Sequence, residues 1–269
     1  MPRIVPIADP DDPRLEPYRA VRERDLVGRQ GLFVAEGRVV LEKALAAHPD
    51  RLGSVLVAEP RLPGLSDVLA RVPEATPVYV AAQAAMDQVV GFPIHRGVLA
   101  VGRRPQHDAA ALLREAPARA LAVGLVGIAN HDNMGGVFRN AAAFGAAAVL
   151  LDSTCCDPLY RKAIRVSVGA ALTTPFAAVG GADGMLDRFE AAGFEVLALS
   201  PAGREELGTL TPAPRTTLLL GAEGAGLPPA VLARARTVRI AMAGGFDSLN
   251  VATTSGIALY HVSAELRRL

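Results

Sequence analysis

Three short stretches of this chain combine polar side chains with glycine, and each follows an apolar run. The first reads Asn130-His131-Asp132-Asn133-Met134-Gly135-Gly136-Val137-Phe138-Arg139-Asn140. It offers amides, which both donate and accept hydrogen bonds, and a guanidinium that stays charged at any ordinary pH. Asn133 is placed to cap a helix opening there, which sets Arg139 nearly two turns inside it. The plain reading of the same residues is a cap and a surface arginine.

The second stretch is Leu220-Gly221-Ala222-Glu223-Gly224-Ala225-Gly226-Leu227. Glycines directly after a buried strand let a ligand approach the backbone closely. The spacing is G-x-x-G-x-G, however, and not the G-x-G-x-x-G of dinucleotide sites, and no G-x-x-x-x-G-K-[ST] occurs in the chain. The third stretch runs from Ile240 and Met242 past Gly244-Gly245 to Ser248-Leu249-Asn250-Val251. Ser248 or Asn250 can cap a last helix, and the same side chains can hold a cofactor or a sugar hydroxyl.

The elements that must position these residues alternate between strand and helix. Apolar runs at 121–126, 147–151, 195–199, 217–220 and 237–240 have helix-capable segments between most of them. That alternation predicts an α/β fold whose parallel sheet is covered on both faces. In such sheets ligands bind beyond the carboxyl ends of strands, where the three stretches lie. A final helix is expected from about 250 to 266.

Ahead of this half, strands are expected at 54–58, 77–80 and 97–101, with helices at 14–29 and 36–47. The polar run Arg103-Arg104-Pro105-Gln106-His107-Asp108 is the best linker. It divides the chain into 1–104 and 105–269. A cluster of Arg19, Arg22, Arg24, Arg29 and Arg38 in the front part can form a phosphate-binding face. Glu16, Glu23, Asp25 and Glu36 are interleaved with it, so a solvated, salt-bridged helix fits the same pattern.

Composition narrows the class. The chain has 269 residues, 51% hydrophobic and 20% charged, with a net charge of +1. No apolar stretch of about 18 residues marks a membrane span, and the start lacks the apolar core of a signal peptide. Cys155 and Cys156 are adjacent and give neither a disulfide framework nor a zinc site. A cytoplasmic protein without a metal is expected.

Taken together and in order, the three stretches resemble the SpoU/TrmH family of RNA 2′-O-methyltransferases, the ribose-modifying branch of the SPOUT class. The family pattern N-x-G-x-x-x-R-N-A is matched from Asn133 through Arg139-Asn140-Ala141. G-x-E-x-x-G-[LI] is matched from Gly221 through Glu223 to Gly226-Leu227, and I-x-M…S-L-N-V at Ile240, Met242 and Ser248-Leu249-Asn250-Val251. Arg165-Val166-Ser167-Val168-Gly169-Ala170 with Pro175-Phe176 adds a fourth family-like stretch. In the front part, Phe33-Val34-Ala35-Glu36-Gly37 and Arg96-Gly97-Val98-Leu99-Ala100 look like the family's ribosomal-protein-like substrate-binding domain. The departures are Ala241, where Pro is usual, and Ala252, where Ser is common.

The resemblance implies a trefoil-knotted methyltransferase domain with a parallel sheet, preceded by a small α/β substrate-binding domain. It implies S-adenosylmethionine as cofactor, held by Gly221, Ile240 and Leu249, with Leu220 and Met242 lining the pocket. It implies an RNA substrate, rRNA or tRNA, and a homodimer with active sites beside the subunit interface. Arg139 matches the family's catalytic arginine. A guanidinium keeps its proton at ordinary pH, which favours positioning of phosphate and 2′-oxygen over a role as base. Asn133, Glu223, Ser248 and Asn250 match the remaining polar motif residues, with Glu223 expected to orient Arg139 or its loop. Rival readings are a catalytically inactive RNA-binding protein of the same fold and a dinucleotide-binding α/β enzyme.

Overall fold

The computed structural model describes residues 2–19, 25–244 and 248–268. Arg22, Glu23 and Arg24 lie outside the described residues, as do the side chains of Asp25 and Arg29. The chain divides into two compact units, Met1–Pro105 with Leu159–Thr173, and Gln106–Pro158 with Thr174–Leu269.

The front unit holds β1 (Ile4–Ile7), β2 (Leu32–Glu36), α1 (Arg38–Ala47), β3 (Leu52–Ala58), α2 (Ser66–Leu69), β4 (Val78–Ala81), α3 (Gln83–Val90) and β5 (Val98–Arg103). Its sheet runs β1-β4-β3-β5-β2, and β2 is antiparallel to β5. Strand β1, which sequence patterning does not single out, pairs in parallel with β4. It is an edge strand, where Pro6 costs no ladder bond on its open side. Leu15, Leu56, Met86 and Leu99 fill the core, and Tyr18 shares a 2.7 Å buried hydrogen bond with Ser54.

The helix expected at 14–29 is not continuous. A 3-10 helix spans Pro13–Tyr18, the backbone is extended at Arg19, and a single π turn covers Asp25–Arg29. Pro17 supplies no N–H, so an α-helical ladder cannot run through it. The second helix starts at Arg38, not Glu36, because Gly37 turns the chain at φ 99° between β2 and α1.

The rear unit holds α4 (Ala109–Arg114), β6 (Ala120–Leu125), α5 (His131–Ala143) and β7 (Ala148–Leu151). Helices α6 (Arg161–Val166) and α7 (Ala170–Thr173) follow, but they pack within the front unit, α6 on β2 and α7 on α1. The rear unit resumes with β8 (Phe176–Ala178), α8 (Ala182–Ala191), β9 (Glu195–Leu199), β10 (Glu205–Glu206), β11 (Arg215–Leu220), α9 (Pro229–Arg234), β12 (Arg236–Arg239) and α10 (Val251–Arg268).

Its seven strands run β10-β12-β9-β11-β6-β7-β8, and every pairing is parallel. The interior strand β6 is buried along its whole length, as a sheet covered on both faces requires. Leu113, Met185, Phe189 and Val231 from α4, α8 and α9 pack on one face. Helices α5 and α10 cross on the other. The crossing is close because its residues are small: a Cβ on Gly136 would come 2.6 Å from the Cβ of Ala252. Asn140 locks it by donating to the Ala252 carbonyl at 2.8 Å and to the Ser255 hydroxyl at 2.9 Å.

Candidate active site

Strands β12, β9, β11 and β6 are adjacent and parallel, so their carboxyl ends open on one edge of the sheet. The chain leaves β6 for β7 on one side, while β11 pairs with β6 on the other. That reversal is where open α/β sheets place a ligand crevice.

A cleft of about 390 Å³ lies next to that point, at the carboxyl ends of β9, β11 and β12. It is lined by Leu220, Gly221, Ile240, Met242 and Leu249, and also by Glu223, Ser248 and Asn250. Sequence patterning did not single out Leu199, Ser200 and Pro201, which close the cleft at the end of β9. The signal was present, since Ser-Pro follows a buried run and another strand's carboxyl end.

Beside the cleft stands a cluster of polar side chains. Asn130, not Asn133, caps α5, accepting from the backbone of Asp132 at 2.8 Å. Asn133 falls in the first turn, is 6% exposed, and donates to Oε1 of Glu223. Asn250 does cap α10, its Oδ1 accepting from Ala252 at 2.9 Å and Thr253 at 3.3 Å. With the oxygen so engaged, its amide group faces outward and donates to Asn133 Oδ1 at 2.9 Å and Glu223 Oε1 at 3.3 Å. Two helix N-termini and a glycine loop are thereby tied by three side chains. Glu223 therefore braces Asn133 and Asn250, not Arg139.

The glycine loop is shaped by its own backbone. A Cβ on Gly221 would fall 2.4 Å from the carbonyl carbon of Gly226, and Gly226 donates back to the Ala222 carbonyl at 2.9 Å. The tight approach that requires glycine at 221 is thus within the loop, which curls to form the cleft wall. Gly224 and Gly226 take φ of +81° and +66°, which favour glycine.

Arg139 does not line this cleft. It is exposed on α5 and makes no hydrogen bond or ion pair among the described residues. Ser248 is exposed at the cleft mouth, next to residues 245–247, which lie outside the described residues.

The strand end before α5 is held from β7. Asp152 accepts from the Gly127 backbone at 3.1 Å, and the Cys155 thiol donates to the Leu125 carbonyl at 3.3 Å. Burial pushes the Cys155 pKa up to about 12 and that of Cys156 up to about 11. Both are free thiols.

Residues 120–260 match the model of the SpoU rRNA methylase family. The chain belongs to the SpoU rRNA methylase family. The match covers more than half of the chain and contains all of the polar cluster and the cleft. An uncharacterised tRNA/rRNA methyltransferase of Mycobacterium bovis is 40% identical to this SpoU methylase over 264 residues, covering 94% of this chain and 90% of the relative. Another, from Synechocystis, is 27% identical over 96% and 93% of the two chains. Among solved structures, an AdoMet-bound rRNA methyltransferase from Sinorhizobium meliloti superposes with a TM-score of 0.84 at 23% identity, over 98% of each chain. An RNA 2′-O ribose methyltransferase reaches 0.79 at 26% identity, over 98% of this chain and 100% of that one.

As a SpoU-family protein the chain is an RNA methyltransferase. No helix among the described residues is long and apolar enough to cross a membrane, and no group of His, Cys, Asp or Glu among them could hold a metal ion.

Proposed function

We propose that this SpoU methylase transfers a methyl group from S-adenosylmethionine to a ribose 2′-hydroxyl of rRNA or tRNA, and does so in the cytoplasm as a homodimer. The observation that carries the reading is the cleft at the ends of β9, β11 and β12, walled on one side by the Asn133–Glu223–Asn250 cluster.

The cleft suits the cofactor in size and chemistry. Its volume falls in the range of about 300–1,000 Å³ usual for small-molecule sites. Leu220, Ile240, Met242 and Leu249 give apolar surface for a purine and a thioether chain, while Ser200, Glu223 and Thr254 offer polar groups. When bound, S-adenosylmethionine supplies an electrophilic methyl on a sulfonium. The AdoMet-bound structures of a Sinorhizobium meliloti rRNA methyltransferase and of the SpoU methyltransferase AviRb from Streptomyces viridochromogenes share this fold.

The protein's task is then to orient one hydroxyl and ease its proton away. Glu223 spends Oε1 on Asn133 and Asn250, and Oε2 keeps no partner among the described residues. That oxygen can accept from an incoming hydroxyl. Arg139 supplies a fixed positive charge for the phosphate and the 2′-oxygen as negative charge develops. Ser248, at the cleft mouth, is placed to hold the ribose.

A second copy completes the site, because Arg139 stands outside the cleft of its own chain. Helix α10 carries an exposed apolar patch that reaches the end of α5. Tyr260 is 62% exposed and Ile257 40%, and the Tyr260 ring meets Phe144 edge-on at 5.9 Å. A partner seated there would bury this patch and bring its surroundings to Arg139. The trefoil knot is proposed with the fold family, on the strength of family membership and the shared fold.

Calorimetry tests the cofactor directly. S-adenosylhomocysteine should bind and NAD should not. Binding of NAD alone would return the chain to the dinucleotide class.

A further inference from the structure

The sequence leaves the front-unit arginines open between a phosphate-binding face and a salt-bridged surface, and Arg19 and Arg38 prove to be salt-bridged. Arg19 pairs with Glu16 at 2.9 Å and Asp11 at 3.2 Å. Arg38 pairs with Glu42 at 2.8 Å and Asp67 at 2.5 Å. The contact surface of the front unit must be sought elsewhere.

Loop 91–97, between α3 and β5, has a different character. Its spine is fixed: Gly91 ends α3 at φ 84°, Ile94 is buried, and the Ile94 N–H donates to Asp87 at 2.9 Å. Around that anchor Phe92, His95 and Arg96 project outward. Phe92 is 45% exposed although it is a large aromatic. The Arg161 guanidinium lies 4.9 Å from its ring centroid, and Arg161 is itself held by the nearly buried Glu36 at 3.2 Å. The ring is thus fixed on one side, and its exposed remainder is open to a second planar group.

Two further arginines stand on the same loop, Arg96 within it and Arg61 packed against it. Arg61 packs over Gly97 and spends one N–H on the His95 carbonyl at 2.8 Å. Arg96 packs over Gly37 and makes one long bond, 3.4 Å, to the Glu36 carbonyl. Neither meets a carboxylate among the described residues, so each keeps most of its five donors. A rigid aromatic ring beside uncompensated guanidiniums is the pairing that binds single-stranded nucleic acid, with the base stacking and the backbone neutralised.

We propose that loop 91–97 is a docking platform for one unpaired nucleotide of the substrate RNA, its base stacked on Phe92 and its flanking phosphates on Arg61 and Arg96. This rests on the chain being an RNA methyltransferase, but not on the ribose being its target.

The test uses the full chain and a short single-stranded RNA carrying one 2-aminopurine, with the same sequence as a duplex for comparison. Stacking on Phe92 should quench the probe. Phe92→Leu, close in bulk but unable to stack, should weaken single-strand binding by about tenfold, and Phe92→Trp should preserve it. Arg61→Gln and Arg96→Gln should each lower the salt slope by about 0.7. S-adenosylhomocysteine affinity, measured in parallel, should stay unchanged in all four.

Single-strand affinity unchanged in a Phe92→Leu protein overturns the proposal, as does equal or tighter binding of the duplex, or no binding of the single strand by the wild type. So does a Phe92→Leu enzyme that methylates naked RNA normally and fails only on ribosomal particles, which would assign the patch to a protein partner. A wild type that binds RNA but neither S-adenosylhomocysteine nor a methyl donor would instead defeat the functional reading and leave the platform standing.

Discussion

Asn250 donates its side-chain amide to Oδ1 of Asn133 at 2.9 Å, although the two lie 117 positions apart in the chain. The bond joins the start of α10 to the first turn of α5, and Glu223 accepts from both amides. Each residue alone reads as a helix cap or a surface polar group. Only the parallel order of β6 and β11 makes them one unit.

That unit separates capping from function. Asn250→Asp keeps an oxygen to cap α10, but it removes the donor and sets a carboxylate against Glu223. Stability to urea should change by no more than about 1 kcal/mol, while methyl transfer should fall by about 100-fold. Asn250→Ala should lose the cap as well and unfold at lower urea. Near wild-type turnover by Asn250→Asp would remove the cluster from the mechanism.

The glycine loop gives an ordered pair of effects. Gly221→Ala would push a Cβ into the Gly226 backbone, so the wall of the cleft must open. Calorimetry should show S-adenosylhomocysteine binding weakened at least tenfold in a protein that still unfolds cooperatively. A Cβ on Gly226 meets nothing within 4 Å, so Gly226→Ala pays only for its φ of +66°, a strain of about 1–2 kcal/mol. Its cofactor affinity should fall less. The reverse order would mean that the ligand, not the loop, requires glycine at 221.

How much of this was legible in the sequence follows from what each feature depends on. Strand-end loops announce themselves locally, through polar residues and glycine after an apolar run, so Asn133, Glu223 and Asn250 could be singled out. Their partners could not, because hydrogen bonding across 90 and 117 residues is set by strand order. The same limit left Glu223 between orienting Arg139 and orienting the loop in the sequence reading, whereas the fold shows its carboxylate tying the glycine loop to two asparagines. In the front unit, charge counting left Arg19 and Arg38 between a phosphate-binding face and a salt-bridged surface, because it cannot see that Asp11 and Asp67 fold back onto them. Segment 159–173 also packs with the front unit, on β2 and α1, although it follows β7 in the chain.

The adjacent cysteines should be inert. Burial holds Cys155 near a pKa of about 12 and Cys156 near about 11, so both are protonated thiols at neutral pH and poor nucleophiles. Iodoacetamide at pH 7.5 should label neither in the folded protein and both in guanidinium chloride. Rapid labelling of native Cys155 would show that the segment after β7 opens readily.

Arg139 is exposed and carries no ion pair among the described residues. Arg139→Ala should therefore leave urea stability and S-adenosylhomocysteine affinity almost unchanged, while methyl transfer falls by about 10²–10³. Arg139→Lys keeps the charge but not the planar fork and should recover only part of the rate. An Arg139→Ala enzyme with normal turnover would place the catalytic charge elsewhere.

The central claim is that the methyl ends on ribose oxygen, and the position of the methyl tests it most directly. RNA isolated from cells lacking the protein should be methylated by the purified enzyme with a labelled donor, then digested in alkali. A 2′-O-methyl group removes the hydroxyl that attacks the neighbouring phosphodiester, so the label should appear in alkali-resistant dinucleotides. Label recovered only in mononucleotides, carried on a methylated base, would contradict the account.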